Sequence, residues 1–219
     1  MESVKVRIAP SPTGVPHIGT TRTALFNFLF ARRHGGKFIL RIEDTDRERL
    51  APESLPQILE ILKFLGIVWD EGPYYQSERL SLYQEFAKKL VDQRKAYFCF
   101  CTSERLDQMR KEMQKKGLPP KYDRTCLGLL KEEIDKKISA GASHTVRLKI
   151  PDNGETSWDD LVHGKITFKN SDLDDQILLK SDGWPTYHLA VVIDDYLMKI
   201  THVLRGDEWI SSKNMGYLH

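Results

Sequence analysis

Cysteine is scarce in this chain: three residues in 219, an odd number that argues against a disulfide framework. No apolar run approaches the roughly 20 residues that cross a bilayer. Met1-Glu-Ser-Val lacks the charged lead and apolar core of a secretory segment, so a soluble cytoplasmic chain is expected. Neither sign of charge dominates, with 33 basic against 31 acidic residues. A nucleic acid would therefore have to be met by local patches and not by a global field. Repeats and low-complexity tracts are absent. What is present is ordinary globular material: 40% hydrophobic residues, enough to bury a core in one large or two modest domains.

Periodicity opens as alternating strands and helices. Val4, Val6 and Ile8 alternate with Lys5 and Arg7 as in a strand, and Ala24, Leu25, Phe28 and Leu29 then recur at helical spacing. A Gly35-Gly36 stop precedes a second strand over Lys37 to Ile42. Leu55, Ile58, Leu59, Leu62 and Leu65 form the stripe of another helix, started by Pro52 and ended by Gly66. Ser81 with Gln84 reads as a capping box for a helix striped by Tyr83, Phe86, Ala87 and Leu90. This βαβα order predicts a parallel sheet.

From about residue 96 the character changes. A cysteine-bearing strand leads to a charged helix around Leu106, Met109 and Met113, a break at Gly117 and Pro119-Pro120, and a helical stretch with Leu129, Leu130, Ile134 and Ile138. Val146, Leu148 and Ile150 alternate with Arg147 and Lys149 as in a half-exposed strand. The pattern predicts an inserted subdomain over residues 96–182, interrupting the chain between residues 1–95 and 183–219. In the last part Lys199 to Leu204 is the expected strand, with Glu208 opening a helix.

Between the first strand and helix lies Ala9-Pro-Ser-Pro-Thr-Gly-Val-Pro-His-Ile-Gly19. Pro10, Pro12 and Pro16 fix φ, while Gly14 and Gly19 permit turning and close approach. The helix N-terminus favours phosphate beside such a loop, and His17 supplies a donor there. A loop of this kind is often only a connection. This string, however, resembles the HIGH signature of class I aminoacyl-tRNA synthetases, in the APSPTG-x-x-H-x-G form of bacterial-type glutamyl-tRNA synthetases. Thr20 stands where that signature has its last histidine. Ala24-Leu-Phe-Asn27, Arg41-Ile-Glu-Asp-Thr-Asp46, Trp69-Asp-Glu-Gly-Pro73, Gln76-Ser-Glu-Arg79, Leu179-Lys-Ser-Asp-Gly183, Pro185-Thr-Tyr-His188 and Val203-Leu-Arg-Gly206 are similar to the same family, in order, along nearly the whole chain.

The resemblance implies a Rossmann-like α/β catalytic fold, split by an inserted α+β subdomain that grips the tRNA acceptor end. It implies ATP with Mg2+, L-glutamate and tRNA(Glu) as partners of a monomeric enzyme that makes glutamyl-adenylate and transfers the glutamyl group to the terminal adenosine. Pro10, Ser11, Thr13, His17 and Gly19 match positions that hold ATP, with His17 and Gly19 catalytic, and Glu208 with Trp209 match those that meet the nucleoside. Arg7, Ala9, Ser11, Glu43, Tyr187 and Arg205 match the glutamate pocket. Two guanidiniums suit an acidic substrate, because each grips a carboxylate with paired hydrogen bonds. Read without the family, Arg7 and Arg205 are arginines that are solvated or paired with Glu43 or Asp207, and Trp209 is packing.

Cys99-x-Cys101 followed by Cys126 resembles the zinc motif of some glutamyl-tRNA synthetases, in which a histidine two residues further on completes the set; here Gly128 occupies that place. Tyr122, spaced as in the related glutamyl-queuosine enzymes, and His144 are two candidates for the fourth ligand. Alternatively the cysteines are small core residues. Arg110, Lys111, Lys115, Lys116 and Lys121 either meet phosphate or form a solvated face. His34, His163, His202 and His219 belong to no motif. Family members carry a lysine-rich KMSKS-type loop and an anticodon-binding region beyond the position matching His219, so this chain is expected to turn over slowly or not at all alone. Two other readings stay open: a glutamyl-queuosine tRNA(Asp) synthetase, and a non-catalytic nucleotide- or tRNA-binding module.

Overall fold

The structure, a computed structural model, describes residues 3–206 and Trp209. The chain packs as two units, one formed by the chain through Leu80 with the segment that begins at Ala190, the other by Ser81–Leu189. No helix among the described residues is long and apolar enough to cross a membrane.

The first unit is built on a parallel sheet. β1 (Lys5–Ile8) leads through the loop to α1 (Ile18–Arg33), β2 (Lys37–Ile42), α2 (Ser54–Phe64) and β3 (Glu71–Tyr75), and the strands lie in the order β1-β2-β3. Val6 pairs with Phe38 and Ile8 with Leu40. Phe38 through Ile42 are all buried, as expected of a strand covered on both faces. Val6, Ile8, Phe38, Leu40 and Ile42 pack with Ala24 and Ala31 of α1 and Ile58 and Leu62 of α2. At Gly36 an added Cβ would lie 2.2 Å from the Val4 carbonyl oxygen, so the turn into β2 requires glycine.

The face that α1 buries differs from the expected stripe. Ala24, Asn27 and Ala31 are buried, whereas Leu25 and Leu29 are exposed. Small residues let the helix approach the sheet closely, and residue size outweighs hydropathy there. The helix stops as its terminus requires, with Arg32 and Arg33 in the last turn and Gly35 in the left-handed region at φ 60°.

Ser81 makes no capping box. A short 3-10 turn over Gln76–Arg79 runs into α3 (Leu80–Asp92), which places Ser81 inside the first turn, and the Gln84 amide donates instead to the Gly183 carbonyl at 3.1 Å.

The second unit continues with β4 (Ala96–Cys99), α4 (Ser103–Lys115), α5 (Lys131–Ser139), β5 (Thr145–Leu148), β6 (Glu155–Asp160), β7 (Gly164–Lys169), β8 (Ile177–Leu179) and the start of α6 (Tyr187–Leu197). β4, β5 and β8 form an antiparallel sheet, and β6 and β7 a separate hairpin with Trp158 stacked on Phe168. Arg147, expected on an exposed face of β5, is buried. Its guanidinium lies 4.0 Å from the Tyr122 ring centre and donates to the Asp175 carbonyl at 2.9 Å. Burial of this cation is matched by a ring face and a carbonyl that sequence periodicity does not register.

No strand forms over Lys199 to Leu204. Lys199 takes φ 58°, and the following segment is tied to β1 through Thr201 and His202, whose N–H groups donate to the Lys5 carbonyl at 2.8 and 3.4 Å. The expected helix start at Glu208 lies outside the described residues.

Candidate active site

Parallel strands bring their C-terminal ends together, and in open α/β sheets ligands bind at those ends. Arg7 is the penultimate residue of β1 and Glu43 directly follows β2. The loop between β1 and α1 is pinned to the end of β2. Glu43 N–H donates to the Pro10 carbonyl at 3.0 Å, and the Ser11 hydroxyl donates to the Glu43 carbonyl at 2.8 Å. Further along the loop, Ala51 N–H donates to the Pro12 carbonyl and the Ser54 hydroxyl to the Gly14 carbonyl. The expected ATP residues Ser11, Thr13 and His17 are exposed on this fixed loop, and Pro10 is buried beneath it.

His17 is the N-cap of α1, and its Nδ1 accepts the Gly19 N–H at 3.0 Å. The cap therefore consumes an N–H that the sequence reading left for a phosphate. An accepting Nδ1 places the ring proton on Nε2, which becomes the donor available to a ligand. Gly19 favours this geometry, since an added Cβ would lie 3.1 Å from His17 Nδ1 and the ring would have to shift by a few tenths of an ångström.

Arg7 is buried and paired, but not with Glu43, and Asp207 lies outside the described residues. Arg7 Nε and Nη2 donate to Asp195 of α6 at 3.1 Å each. Arg41, wholly buried, donates through Nη1 to Asp195 at 2.7 Å and through Nη2 to Glu43 Oε1 at 3.0 Å. Asp194 accepts from Gln76 Nε2 at 2.9 Å and from Arg79 Nε at 2.8 Å. Burial raises the Glu43 carboxyl above its ordinary pKa, against the pull of Arg41. Burial acts the same way on Asp195, yet the charges of Arg7 and Arg41 outweigh it and hold that carboxyl low. Asp194 and Asp195 escaped the sequence reading because their partners lie more than a hundred residues away.

Of the other expected site residues, Ala9 is half-buried at the start of the loop. Arg205 lies in the segment beyond Leu204 with its guanidinium 5.5 Å from the Trp209 ring centre, a cation–π arrangement. Tyr187 is the first residue of α6 and belongs to the second unit. Glu208 lies outside the described residues.

The cysteines meet. Sγ of Cys99 and of Cys101 each lie 3.3 Å from the Tyr122 hydroxyl, Cys101 and Cys126 Sγ are 3.6 Å apart, and all three sulfurs fall within 4.8 Å of one another. Tyr122 O also accepts the Cys126 N–H at 3.1 Å. His144 is not in the group. Its ring packs edge-on against Phe98, the neighbour of Cys99 on the opposite strand face, and its Nδ1 pairs with the Ala142 carbonyl. Although burial opposes it, the Cys99 thiol is lowered to about 7 by the Tyr122 hydroxyl and Arg147. Of the basic residues singled out, Lys121 donates to the Ser171 carbonyl and Arg110 pairs with Asp107.

This fold is an α/β domain whose β1–α1 loop sits at the C-terminal ends of parallel strands, where open α/β sheets bind ligands. The sequence profile of "tRNA synthetases class I (E and Q), catalytic domain" matches residues 3–218. The chain is 55% identical to the glutamate--tRNA ligase of Coprothermobacter proteolyticus over 94% of its length and 44% of that protein's. It is 50% identical to that of Clostridioides difficile over 96% of its length and 46% of the relative's. A glutamate tRNA ligase from Elizabethkingia meningosepticum, crystallised in complex with its amino acid, superposes with a TM-score of 0.93 at 41% identity, covering 99% of this chain and 46% of that one. The chain belongs to the class I tRNA synthetases for glutamate and glutamine, and it spans less than half the length of these relatives.

Proposed function

We propose that the chain carries the site at which a glutamate--tRNA ligase activates L-glutamate with ATP and passes it to tRNA(Glu). The observation that carries this reading is the joining of the capped loop of His17 to the buried Arg7, Arg41 and Glu43 at the ends of two parallel strands. In the reaction the α-carboxylate of glutamate attacks the α-phosphate of ATP, pyrophosphate leaves, and the glutamyl group moves from AMP to a ribose hydroxyl of the terminal adenosine. No nucleophilic side chain is required. Positioning and charge stabilisation supply the acceleration.

The residues suit these tasks. Arg7 and Arg205 receive the substrate carboxylates, and Glu43, whose Oε1 is engaged by Arg41, offers Oε2 to the substrate ammonium. Ala9 borders the pocket, and Tyr187 is assigned to glutamate by its match to the family position. Nε2 of His17 donates to the phosphates of magnesium-bound ATP as charge shifts toward the leaving pyrophosphate. Ser11, Thr13, Pro10 and Gly19 shape the loop around the nucleotide, with Glu208 and Trp209 at the nucleoside. The inserted segment over 96–182 meets the tRNA acceptor end, and the enzyme works as a cytoplasmic monomer.

A structural zinc belongs to the same reading. Tetrahedral zinc with thiolate bonds of about 2.3 Å sets sulfurs about 3.8 Å apart, close to the spacing of Cys101 and Cys126, and Cys99, Cys101, Cys126 and Tyr122 supply four donors. Bound there, the metal would cross-link the start of the inserted segment to the loop after α4.

The test is charging of tRNA(Glu) and tRNA(Asp) with labelled glutamate, by this chain and by this chain joined to the C-terminal region of a relative. Charging of tRNA(Glu) is expected from the joined protein. Charging of tRNA(Asp) alone would replace this reading with the glutamyl-queuosine one, and the absence of both would leave a binding module. Arg205→Ala is expected to weaken glutamate use far more than ATP use.

A further inference from the structure

We propose that Asp195 is a positioning residue for glutamate recognition, aligning Arg7 and, through Arg41, the acid Glu43. This rests on the glutamate reading above. One carboxylate, 2% exposed, receives guanidiniums from two adjacent strands. Oδ1 accepts Arg7 Nε at 3.1 Å and Arg41 Nη1 at 2.7 Å, and Oδ2 accepts Arg7 Nη2 at 3.1 Å. Arg41 hands the constraint on, its Nη2 reaching Glu43 Oε1 at 3.0 Å.

The donor inventory shows why this arrangement serves a ligand. A guanidinium has five N–H groups, and Asp195 uses the Nε hydrogen of Arg7 and one on Nη2. The hydrogens of Nη1 and the second on Nη2 form an end-on pair that matches another carboxylate. Arg7 thus keeps one edge for the fold and one for the substrate, and Asp195 decides which way the second edge faces.

Charge bookkeeping points the same way. Arg7, Arg41 and Arg79 are balanced by Glu43, Asp194 and Asp195, so the network carries no excess charge that would by itself attract an anion. What this network contributes to selectivity for an acidic amino acid must then come from orientation. A buried ion network is also weak support for stability, since packed apolar residues would serve as well. Asp194, adjacent in sequence and just as buried, accepts from Gln76 and Arg79 and stands 3.7 Å from Arg41 Nε, without a bond to Arg7. It is the internal control.

In Asp195→Asn the amide offers one acceptor oxygen and sets an NH2 donor against a guanidinium, so one arginine loses its partner. The experiment is calorimetric titration of this chain and its variants with L-glutamate, L-glutamine and ATP, alongside thermal melting. The expected result is a loss of L-glutamate affinity of about tenfold or more, with ATP affinity changed by less than about threefold and discrimination against L-glutamine reduced. Asp194→Asn should lower the melting temperature without that selective loss. If Asp195→Asn does not fold, Asp195→Glu keeps the charge but shifts it by a methylene, and should show the same selective loss. Equal weakening of glutamate and ATP, or unchanged glutamate affinity and discrimination, overturns the proposal alone. A wild-type chain that fails to bind L-glutamate, or binds L-glutamine as well, overturns the glutamate reading and this inference with it.

Discussion

Asn27, buried in the middle of α1, donates through Nδ2 to the carbonyl oxygen of Leu204 at 3.2 Å, bridging 177 positions of sequence to fix the backbone just before Arg205. The same amide group also donates to the Thr23 carbonyl at 2.9 Å. Asn27→Ala removes the tie and leaves a half-buried carbonyl without it, a loss of about 1 kcal/mol. A lowered melting temperature is expected, together with weaker binding of L-glutamate than of ATP in side-by-side titrations. An unaltered glutamate-to-ATP affinity ratio would detach Arg205 from this contact.

Gly19 separates stability from function. Alanine is the better helix former by up to about 1 kcal/mol, while loss of the His17 cap costs a similar amount, so Gly19→Ala should leave the melting temperature nearly unchanged. Its Cβ, however, would sit 3.1 Å from His17 Nδ1 and push the ring from the cap. ATP–pyrophosphate exchange, measured in the protein joined to a relative's C-terminal region, is expected to fall, and His17→Ala to reduce it by about 100-fold or more. Full exchange in Gly19→Ala would show that the cap does not set the position of the imidazole.

Local pattern made the first unit legible. Alternation located β1 and β2, and the Gly35-Gly36 stop marked the turn between them, because these signals depend on neighbours in sequence. The face of α1 was misread because close packing chose Ala24, Asn27 and Ala31 over the larger Leu25 and Leu29. Asp195 could not be read at all: an aspartate beside another in an apolar helix looks like a solvated edge until Arg7 and Arg41 arrive from distant strands. Cys99, Cys101, Tyr122 and Cys126 were recognisable by spacing, but the choice between Tyr122 and His144 depended on which face of β4 each meets.

Acid should unfold the protein through its paired carboxylates. Asp70, through its hydrogen bond from Arg32, and Glu71, through that from Lys37, are held below their ordinary values; at Asp195 burial is outweighed by Arg7 and Arg41. A carboxyl lowered in the folded state contributes stability that is complete above its unfolded value, about 4, and is lost as pH falls through the lowered one. Glu43 has the opposite sign, because burial raises it and its protonation relieves a cost. Glu104, Asp123, Asp160 and Asp182 are lowered as well, so among the described residues the lowered carboxyls outnumber the one raised, and the melting temperature should be flat from neutral pH to about 5 and fall steeply below about 4. Asp70→Asn should make the fall shallower. A melting temperature that rises on acidification would mean that Glu43 dominates.

The fourth donor beside the cysteines can be decided by comparing two variants. Tyr122 places its oxygen 3.3 Å from two sulfurs, while the His144 ring is held by Phe98 and the Ala142 carbonyl. Tyr122→Phe keeps the ring under Arg147 and removes only the oxygen, so any change in metal content reports ligation and not packing. With zinc supplied during expression, elemental analysis is expected to find about one zinc per wild-type chain, an equal amount in His144→Ala, and less in Tyr122→Phe, which should also release the metal faster to a chelator. Zinc retained in Tyr122→Phe and lost in His144→Ala would reverse the assignment. A wild-type chain free of zinc would make the cluster a packed group of thiols, with Cys99 buried among them.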